Sequence, residues 1–144
     1  MTFVKTRRFA RELVLQGLYA AEMAEASPDK ILEDLMSRHT VDNEFREFME
    51  RLFNKSLNQK KWIRTQIEER LENWDITRVA IIDLLVLQMM IAEMVFLEDI
   101  PPKVSISEGV EIAKKYSTDE SSSFVNGIFD SVYHSLEELS VPGE

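Results

Sequence analysis

Three arginines lie close together near the start of the chain, at positions 7, 8 and 11. On a helix, Arg7 and Arg11 share one face about 6 Å apart along the axis, and Arg8 falls within the same arc of about 100°. Guanidinium groups that converge in this way bind successive phosphates or stack on bases. The spacing therefore indicates an RNA-binding surface, and an ordinary charged helix end is the alternative.

The distribution of charge supports a local anion-binding surface. Residues 1–11 contain Lys5 and the three arginines but no acid, a local charge of +4. Because the net charge is −9, the other 133 residues carry −13. A basic patch on an acidic body can bind phosphate locally while the body suppresses non-specific association. Three phosphate contacts to a single strand predict a salt slope of only about −2, so we expect modest affinity.

An aromatic ring near such a patch would strengthen the RNA hypothesis, because RNA-binding proteins stack unpaired bases on rings. Phe124 is the candidate, since it lies one turn inside a helix that begins near residue 117 or 118. Periodicity alone favours another interpretation, in which Phe124 is the first of three core residues on one helix face, followed by Ile128 and Val132. Both interpretations stay open from the residues themselves.

Catalytic chemistry finds little support in the sequence. The chain has no cysteine, and its two histidines, His39 and His134, lie in no metal-ligand or triad-like motif. There is no glycine-rich phosphate loop. We therefore predict no catalytic site, no metal site and no cofactor.

The elements that would position these residues have helical periodicity throughout. The first predicted helix spans about 5–25, and Ser27-Pro28 begins a second with Ser as cap and Pro in the first position. Apolar residues at helical spacing predict a third helix after Asp42 and a fourth over about 57–71. No strand-like alternation is visible, so 144 residues predict one all-α domain.

The segment from Val79 to Leu97 is the most hydrophobic part of the chain, interrupted only by Asp83, Gln88 and Glu93. Two acids inside a membrane span would be costly, so we predict a central helix buried on most sides. Such a helix must turn Asp83 and Glu93 to solvent or to a partner. An arginine-rich start before an apolar run loosely resembles an export signal, but Glu12 and Gln16 disrupt it and favour a cytoplasmic protein.

The C-terminal part predicts two further helices after the break at Pro101-Pro102. Ser105 to Glu108 and Ser117 to Glu120 have capping-box spacing, so each pair is predicted to open a helix. The total is about seven helices. Asn126-Gly127 would ordinarily indicate a turn, but the surrounding period is helical. We therefore expect Gly127 to let a neighbouring helix approach closely.

Two blocks of the sequence resemble the NusB family. The stretch RRFARELVLQGLY is similar to the opening of that family, and IPPKVSISEGVEIAKKYSTDESSSFVNGIFD is similar to its C-terminal block. Between them, WDITRVAIIDLLVLQMMIAEM resembles its hydrophobic central helix. The strong blocks cover about residues 7–21 and 74–130, whereas about 22–73 match in helical character alone.

The resemblance implies two small helical bundles sharing a long central hydrophobic helix, with subdomains of about 1–73 and 74–140 in one domain spanning 1–144. It implies a non-enzymatic transcription antitermination factor of ribosomal RNA operons. The implied partners are boxA-like single-stranded RNA, ribosomal protein NusE and the RNA polymerase antitermination complex, with no membrane. By position, Arg7, Arg8, Arg11 and Phe124 match RNA-binding residues, and Glu93 matches an acid that faces NusE.

Some positions depart from the family pattern, and other functions stay open. Ser122 and Ser123 replace residues that are often His and Lys, and Asp83 replaces one that is often basic, so we expect weaker RNA binding without the partner. One alternative is an accessory module for ribosomal RNA modification, disfavoured because no catalytic domain precedes Glu144. The other is a helical adaptor that binds protein only. The sequence does not decide between monomer and homodimer.

Overall fold

A computed structural model describes residues 2–24, 26–72 and 75–143 of the chain. Within these ranges seven α-helices form the protein, which confirms the all-α prediction. They are α1 (Arg7–Met23), α2 (Pro28–Arg38), α3 (Asn43–Asn58), α4 (Lys60–Glu69), α5 (Ile81–Phe96), α6 (Pro102–Tyr116) and α7 (Asp119–His134). Short 3₁₀ turns lie at Ile76–Arg78 and Leu136–Glu138.

Two short strands were not expected from the sequence. β1 (Thr2–Val4) pairs in parallel with β2 (His39–Val41), and Phe3 lies opposite Thr40 in the register. Val4 is buried, whereas Phe3 faces solvent. Strands of three residues are too short for alternation to be recognised in the sequence. The pairing ties the chain just before α1 to the chain just before α3.

The helix starts agree with the sequence in part. Ser27 caps α2, with Pro28 in the first helical position as predicted. The two capping-box predictions are wrong. α6 begins at Pro102, because proline suits the first helical position, and Ser105 lies inside that helix. At α7 the cap is Thr118, whose hydroxyl accepts from the backbone N–H of Ser121 at 3.0 Å.

The hydrophobic helix α5 forms the centre of the molecule, as predicted. It contacts α1, α3 and α4 as well as α6 and α7. Its side chains from Val86 to Ala92 are all at most 1% exposed. Across the described ranges, no helix has the length and apolar character needed to cross a membrane. The division into two subdomains stays a prediction, since its boundary at 73–74 lies outside the described residues.

The predicted role of Gly127 is wrong, and two other glycines have that role. A Cβ added at Gly127 would meet no atom within 4 Å, so no helix approaches there. At Gly109 an added Cβ would lie 2.7 Å from Phe129 and 2.9 Å from Met90. At Gly17 it would lie 2.9 Å from Leu35. Gly109 on α6 and Gly17 on α1 therefore allow neighbouring helices to pack closely, whereas Gly127 faces open space.

Candidate nucleic-acid interface

The three N-terminal arginines lie at the start of α1, which Thr6 caps by accepting the N–H of Phe9 at 3.1 Å. The structure separates their side chains. Arg7 is half-buried, with its guanidinium 5.1 Å from the ring centre of Phe48 on α3. Arg8 points toward α6 and its side chain is 48% exposed. Arg11 lies between them and is buried.

Arg11 forms a buried ion pair with Glu93 of α5. Its Nε donates to Glu93 Oε2 and its Nη2 to Glu93 Oε1, both at 2.7 Å. Its side chain is only 2% exposed, and that of Glu93 is 0% exposed. Ser105 of α6 donates a further hydrogen bond to Glu93 at 2.8 Å. These contacts satisfy two buried charges that would otherwise be costly, and they join α1, α5 and α6.

This pairing changes what Arg11 and Glu93 can do. Glu93 meets its partner inside the protein, so its carboxylate is not on a surface that a second protein could touch. Arg11 likewise has almost no surface to offer a phosphate. The sequence predicted that Glu93 has a partner, because an acid in an apolar helix requires one. A single sequence did not show that the partner was Arg11.

Glu108 of α6 connects the buried pair to the surface. One of its oxygens accepts from Arg11 Nη1 at 3.2 Å and also from Arg8 Nε at 3.2 Å. Its other oxygen accepts a hydrogen bond from Arg8 Nη2. The Arg8 hydrogen bond is the main cause of the lowered pKa of Glu108, and Glu108 raises the pKa of Arg8. Arg8 is therefore both half-exposed and already paired.

One turn further along α1, Glu12 accepts from two residues at the end of α6. Lys115 Nζ donates at 2.8 Å and 3.2 Å, and the Tyr116 hydroxyl donates at 2.8 Å. Glu12 is 5% exposed. Burial, followed by the Glu12 hydrogen bond, raises the pKa of Tyr116. Sequence reasoning missed Lys115, whose side chain is 60% exposed and adds a cation beside α1.

Phe124 lies in a different place. It is half-buried on α7, packs against the core and lines a groove between α7 and the end of α4. Gly127 and Arg70 line the same groove. Arg70 crosses to α7, where Nε donates to Ser131 at 3.1 Å and Nη2 donates to Ser135 at 2.7 Å. The ring therefore has one side against the core and one side on an open groove.

The arginines and Phe124 do not meet in one pocket. Ser121, one turn before Phe124, donates to Asp83 Oδ2 at 2.8 Å. Asp83 and Glu93 are ten residues apart on α5, which corresponds to about 15 Å along the helix axis. The two predicted parts of the RNA surface thus lie near opposite ends of α5. A ligand that contacts both must be extended.

Asp83 is turned to a partner inside the protein, one of the two environments expected for it. It is 6% exposed and accepts from Ser121. In the described part of the chain its Oδ1 has no hydrogen-bond partner. The hydroxyls of Ser117 and Thr118 lie within 2.9 Å and 3.1 Å of the Ser121 hydroxyl that binds Asp83. The first turn of α7 is thereby fixed on the start of α5.

Metal binding receives no support from the geometry. Among the residues that the structure describes, no three or more histidine, aspartate or glutamate side chains are grouped to hold an ion. His134 pairs with Asp130 on its own helix at 3.3 Å. His39 packs edge-on against Phe9.

Comparison with known proteins identifies relatives along nearly the whole chain. The model of the NusB family matches residues 8–134. The transcription antitermination protein NusB of Chloroherpeton thalassium is 42% identical over 137 residues, which cover 94% of this chain. Those residues span 65% of that relative's length.

Solved structures agree on the fold. T. maritima NusB superimposes with a TM-score of 0.83 at 31% identity, covering 98% of this chain and 96% of that one. A crystal structure of antitermination factors NusB and NusE in complex with dsRNA has a TM-score of 0.81 at 23% identity. It covers 90% of this chain and 96% of the compared chain.

Proposed function

The chain belongs to the NusB family, and we propose that it is a non-enzymatic transcription antitermination factor that binds RNA together with a protein partner. The family match over residues 8–134 carries this proposal. The relative from Chloroherpeton thalassium bears the name of a transcription antitermination protein, which supports the same role. The finer proposal is a cytoplasmic factor for ribosomal RNA operons whose RNA ligand is a boxA-like single strand.

We assign the RNA contacts to two surfaces. Arg7 and Arg8 provide cations at the start of α1, and Phe124 provides a ring on the α7 groove. Exposed Arg8 binds phosphate by exchanging one charged acceptor, Glu108, for another. The bonds of Arg8 to Glu108 and to phosphate are both charge-assisted, so replacing one by the other changes the free energy little. The exchange therefore contributes more to specificity for a well-placed phosphate than to affinity. Arg11 and Glu93 act indirectly, because their buried pair fixes α1 against α5 and α6.

NusE is the proposed protein partner. A protein with the same fold was solved as a complex of NusB with NusE and dsRNA, which supports a joint assembly of protein and RNA. The two separated surfaces of this chain fit that arrangement, since an extended strand would leave room for a partner beside it. Glu93 is proposed to influence the partner only through the packing of α5, because the carboxylate itself is 0% exposed.

The test is a titration with a fluorescently labelled boxA-like RNA, with and without purified NusE. A scrambled single strand and a duplex of the same sequence serve as controls. We expect preferential binding of the boxA-like single strand, strengthened by NusE. We also expect the affinity to fall with salt at a slope near the value of about −0.7 per phosphate contact. Absence of RNA binding in every arm, with NusE binding retained, would favour a protein-only adaptor.

Substituting Phe124 by alanine separates its two roles. Loss of a stacked base weakens RNA binding by about 1–3 kcal/mol. The ring also packs against the core, so the free energy of unfolding is measured on the same sample. Ser123→Ala, at an exposed neighbour on the same groove, is the matched control. A large loss of stability with unchanged RNA affinity would assign Phe124 to the core alone.

A further inference from the structure

Phe3 is an exposed aromatic side chain that neither the family match nor the proposed RNA surfaces include. The family model begins at residue 8, five positions after it. Its exposure is 60%, whereas the exposed tyrosines Tyr19 and Tyr116 reach 40% and 39%. Among the described residues, no other Phe, Tyr or Trp is more exposed. A single exposed apolar side chain is common on protein surfaces, so it is the surroundings of this ring that point to a ligand.

The strand pairing holds this ring in a defined position. Phe3 lies in the middle of β1, in register with Thr40 of β2. The next residue, Val4, is 2% exposed and points into the core. Because successive side chains on a strand point to opposite sides, burial of Val4 directs Phe3 to solvent. The chain then enters α1 after only Lys5 and Thr6, so the ring is attached directly to the helix that carries the arginines.

The residues next to Phe3 along the chain are cationic. The ammonium group of Lys5 lies 5.6 Å from the centre of the Phe3 ring. Arg7 follows four positions after Phe3, within about 14 Å even for a fully extended chain. Residues 1–11 contain no acid. An apolar protein partner would gain little from this concentration of positive charge. A nucleic acid with unpaired bases would gain from both the charge and the exposed ring, since it has phosphates for the cations and flat bases for the ring.

We propose that Phe3 and Lys5 form a stacking site for one unpaired base of single-stranded RNA, continuous with the phosphate-binding surface of Arg7 and Arg8. The base lies on the Phe3 ring and Lys5 neutralises an adjacent phosphate. The inference rests on the proposed RNA-binding function and adds to it a position that the family pattern does not contain. It also places an aromatic ring next to the arginines, whereas Phe124 lies near the opposite end of α5.

The experiment is a titration of the full chain with a boxA-like single-stranded RNA, at two salt concentrations, for wild type, Phe3→Ala, Phe3→Leu and Phe3→Tyr. Phe3→Ala is expected to weaken binding about 5- to 150-fold, the equivalent of one stacked base. Phe3→Tyr retains wild-type affinity because it keeps a ring, and Phe3→Leu weakens binding although it keeps apolar bulk. The salt slope stays unchanged in all three variants, because none removes a charge.

Two controls separate this inference from the function on which it rests. Met23→Ala removes an equally exposed apolar side chain, 61% exposed, at the other end of α1, about 24 Å from Arg7 along the helix, and is expected to leave RNA affinity unchanged. Arg8→Ala is expected to lower the salt slope by about 0.7. If Arg8→Ala weakens binding and Phe3→Ala does not, the Phe3 site is overturned while RNA binding stands. If wild type itself does not bind, the proposed function fails first.

Two further outcomes would also overturn the site. Equal affinities of Phe3→Leu and Phe3→Tyr would show that apolar bulk, not a ring, is needed. Unchanged RNA binding together with weaker binding of NusE, or with loss of self-association, would assign Phe3 to a protein interface. Should Phe3→Ala lose thermal stability, the comparison between Phe3→Leu and Phe3→Tyr gives the decision.

Discussion

Arg8 and Arg11 lie one turn apart on α1, and each binds a glutamate, yet their surroundings differ sharply. Arg11 and Glu93 are 2% and 0% exposed, whereas Arg8 and Glu108 are 48% and 17% exposed. In the buried pair each charge depends on the other, since water cannot replace a lost partner. In the pair of Arg8 and Glu108, water or a phosphate can replace the lost partner of Arg8. The same residue types therefore stabilise the fold at one position and remain available to a ligand at the next.

The largest expected effect comes from breaking the buried pair. Arg11→Met leaves the Glu93 carboxylate without its main partner and should lower the free energy of unfolding by about 3–5 kcal/mol. Urea denaturation measures the loss. The double variant Arg11→Met/Glu93→Met should recover much of it, because no unpaired charge remains. If Arg11→Met were as stable as wild type, the claim that the buried pair stabilises the fold more than the exposed pair would be wrong.

The exposed pair should respond in the opposite way. Arg8→Met is expected to change the free energy of unfolding by less than about 1 kcal/mol, because Arg8 is half-exposed and Glu108 keeps the hydrogen bond from Arg11. Its effect appears in RNA binding, where the salt slope falls by about 0.7. Parallel denaturation and RNA titrations make the check. A loss of stability as large as that of Arg11→Met would contradict the assignment of Arg8 to ligand binding.

A smaller effect concerns the acceptor that competes with RNA for Arg8. Glu108→Gln keeps the side-chain shape but removes the negative charge, so Arg8 exchanges to phosphate more readily. We expect RNA affinity to increase by a few-fold, in line with about 1 kcal/mol for one exposed charge pair. Glu111→Gln, one turn along α6, is the comparison: Glu111 pairs with Lys114 at 3.6 Å and acts on Arg8 less strongly than Glu108 does, so a smaller increase is expected. Weaker RNA binding by Glu108→Gln would show that Glu108 positions Arg8 instead of competing for it.

The smallest effect is a pH dependence. The hydrogen bond from Arg8 holds the pKa of Glu108 below its ordinary value of 4.5. The pair therefore contributes stability above that ordinary value and loses it as the pH falls through the lower folded pKa. Glu108→Gln should thus destabilise the protein slightly at pH 7 and not at strongly acidic pH. Thermal unfolding over a pH series measures the difference, and a gap between wild type and variant that widens on acidification would contradict it.

The sequence predicted those features that depend on neighbours along the chain. Helical spacing located all seven helices, and Ser27-Pro28 marked the start of α2. Local rules failed where two of them competed. At α6 the proline start at Pro102 prevailed over the capping-box spacing of Ser105, which left the Ser105 hydroxyl free to bind Glu93.

The candidate site was less predictable because its contacts join distant parts of the chain. Arg11 and Glu93 are 82 positions apart, and Arg8 and Glu108 are 100 positions apart. One sequence contains no signal for such pairs, so residues that looked equivalent on α1 could not be divided into buried and exposed. The open space at Gly127 and the strand that presents Phe3 were hidden for the same reason.

The salt dependence of RNA binding by Arg11→Met/Glu93→Met tests the central claim most directly. Because neither residue touches RNA in this account, the double variant should keep the wild-type slope, while Arg8→Met loses about 0.7 of it. The opposite pattern, a slope reduced by about 0.7 in the double variant and unchanged in Arg8→Met, would place Arg11 on phosphate and contradict the division between the two pairs.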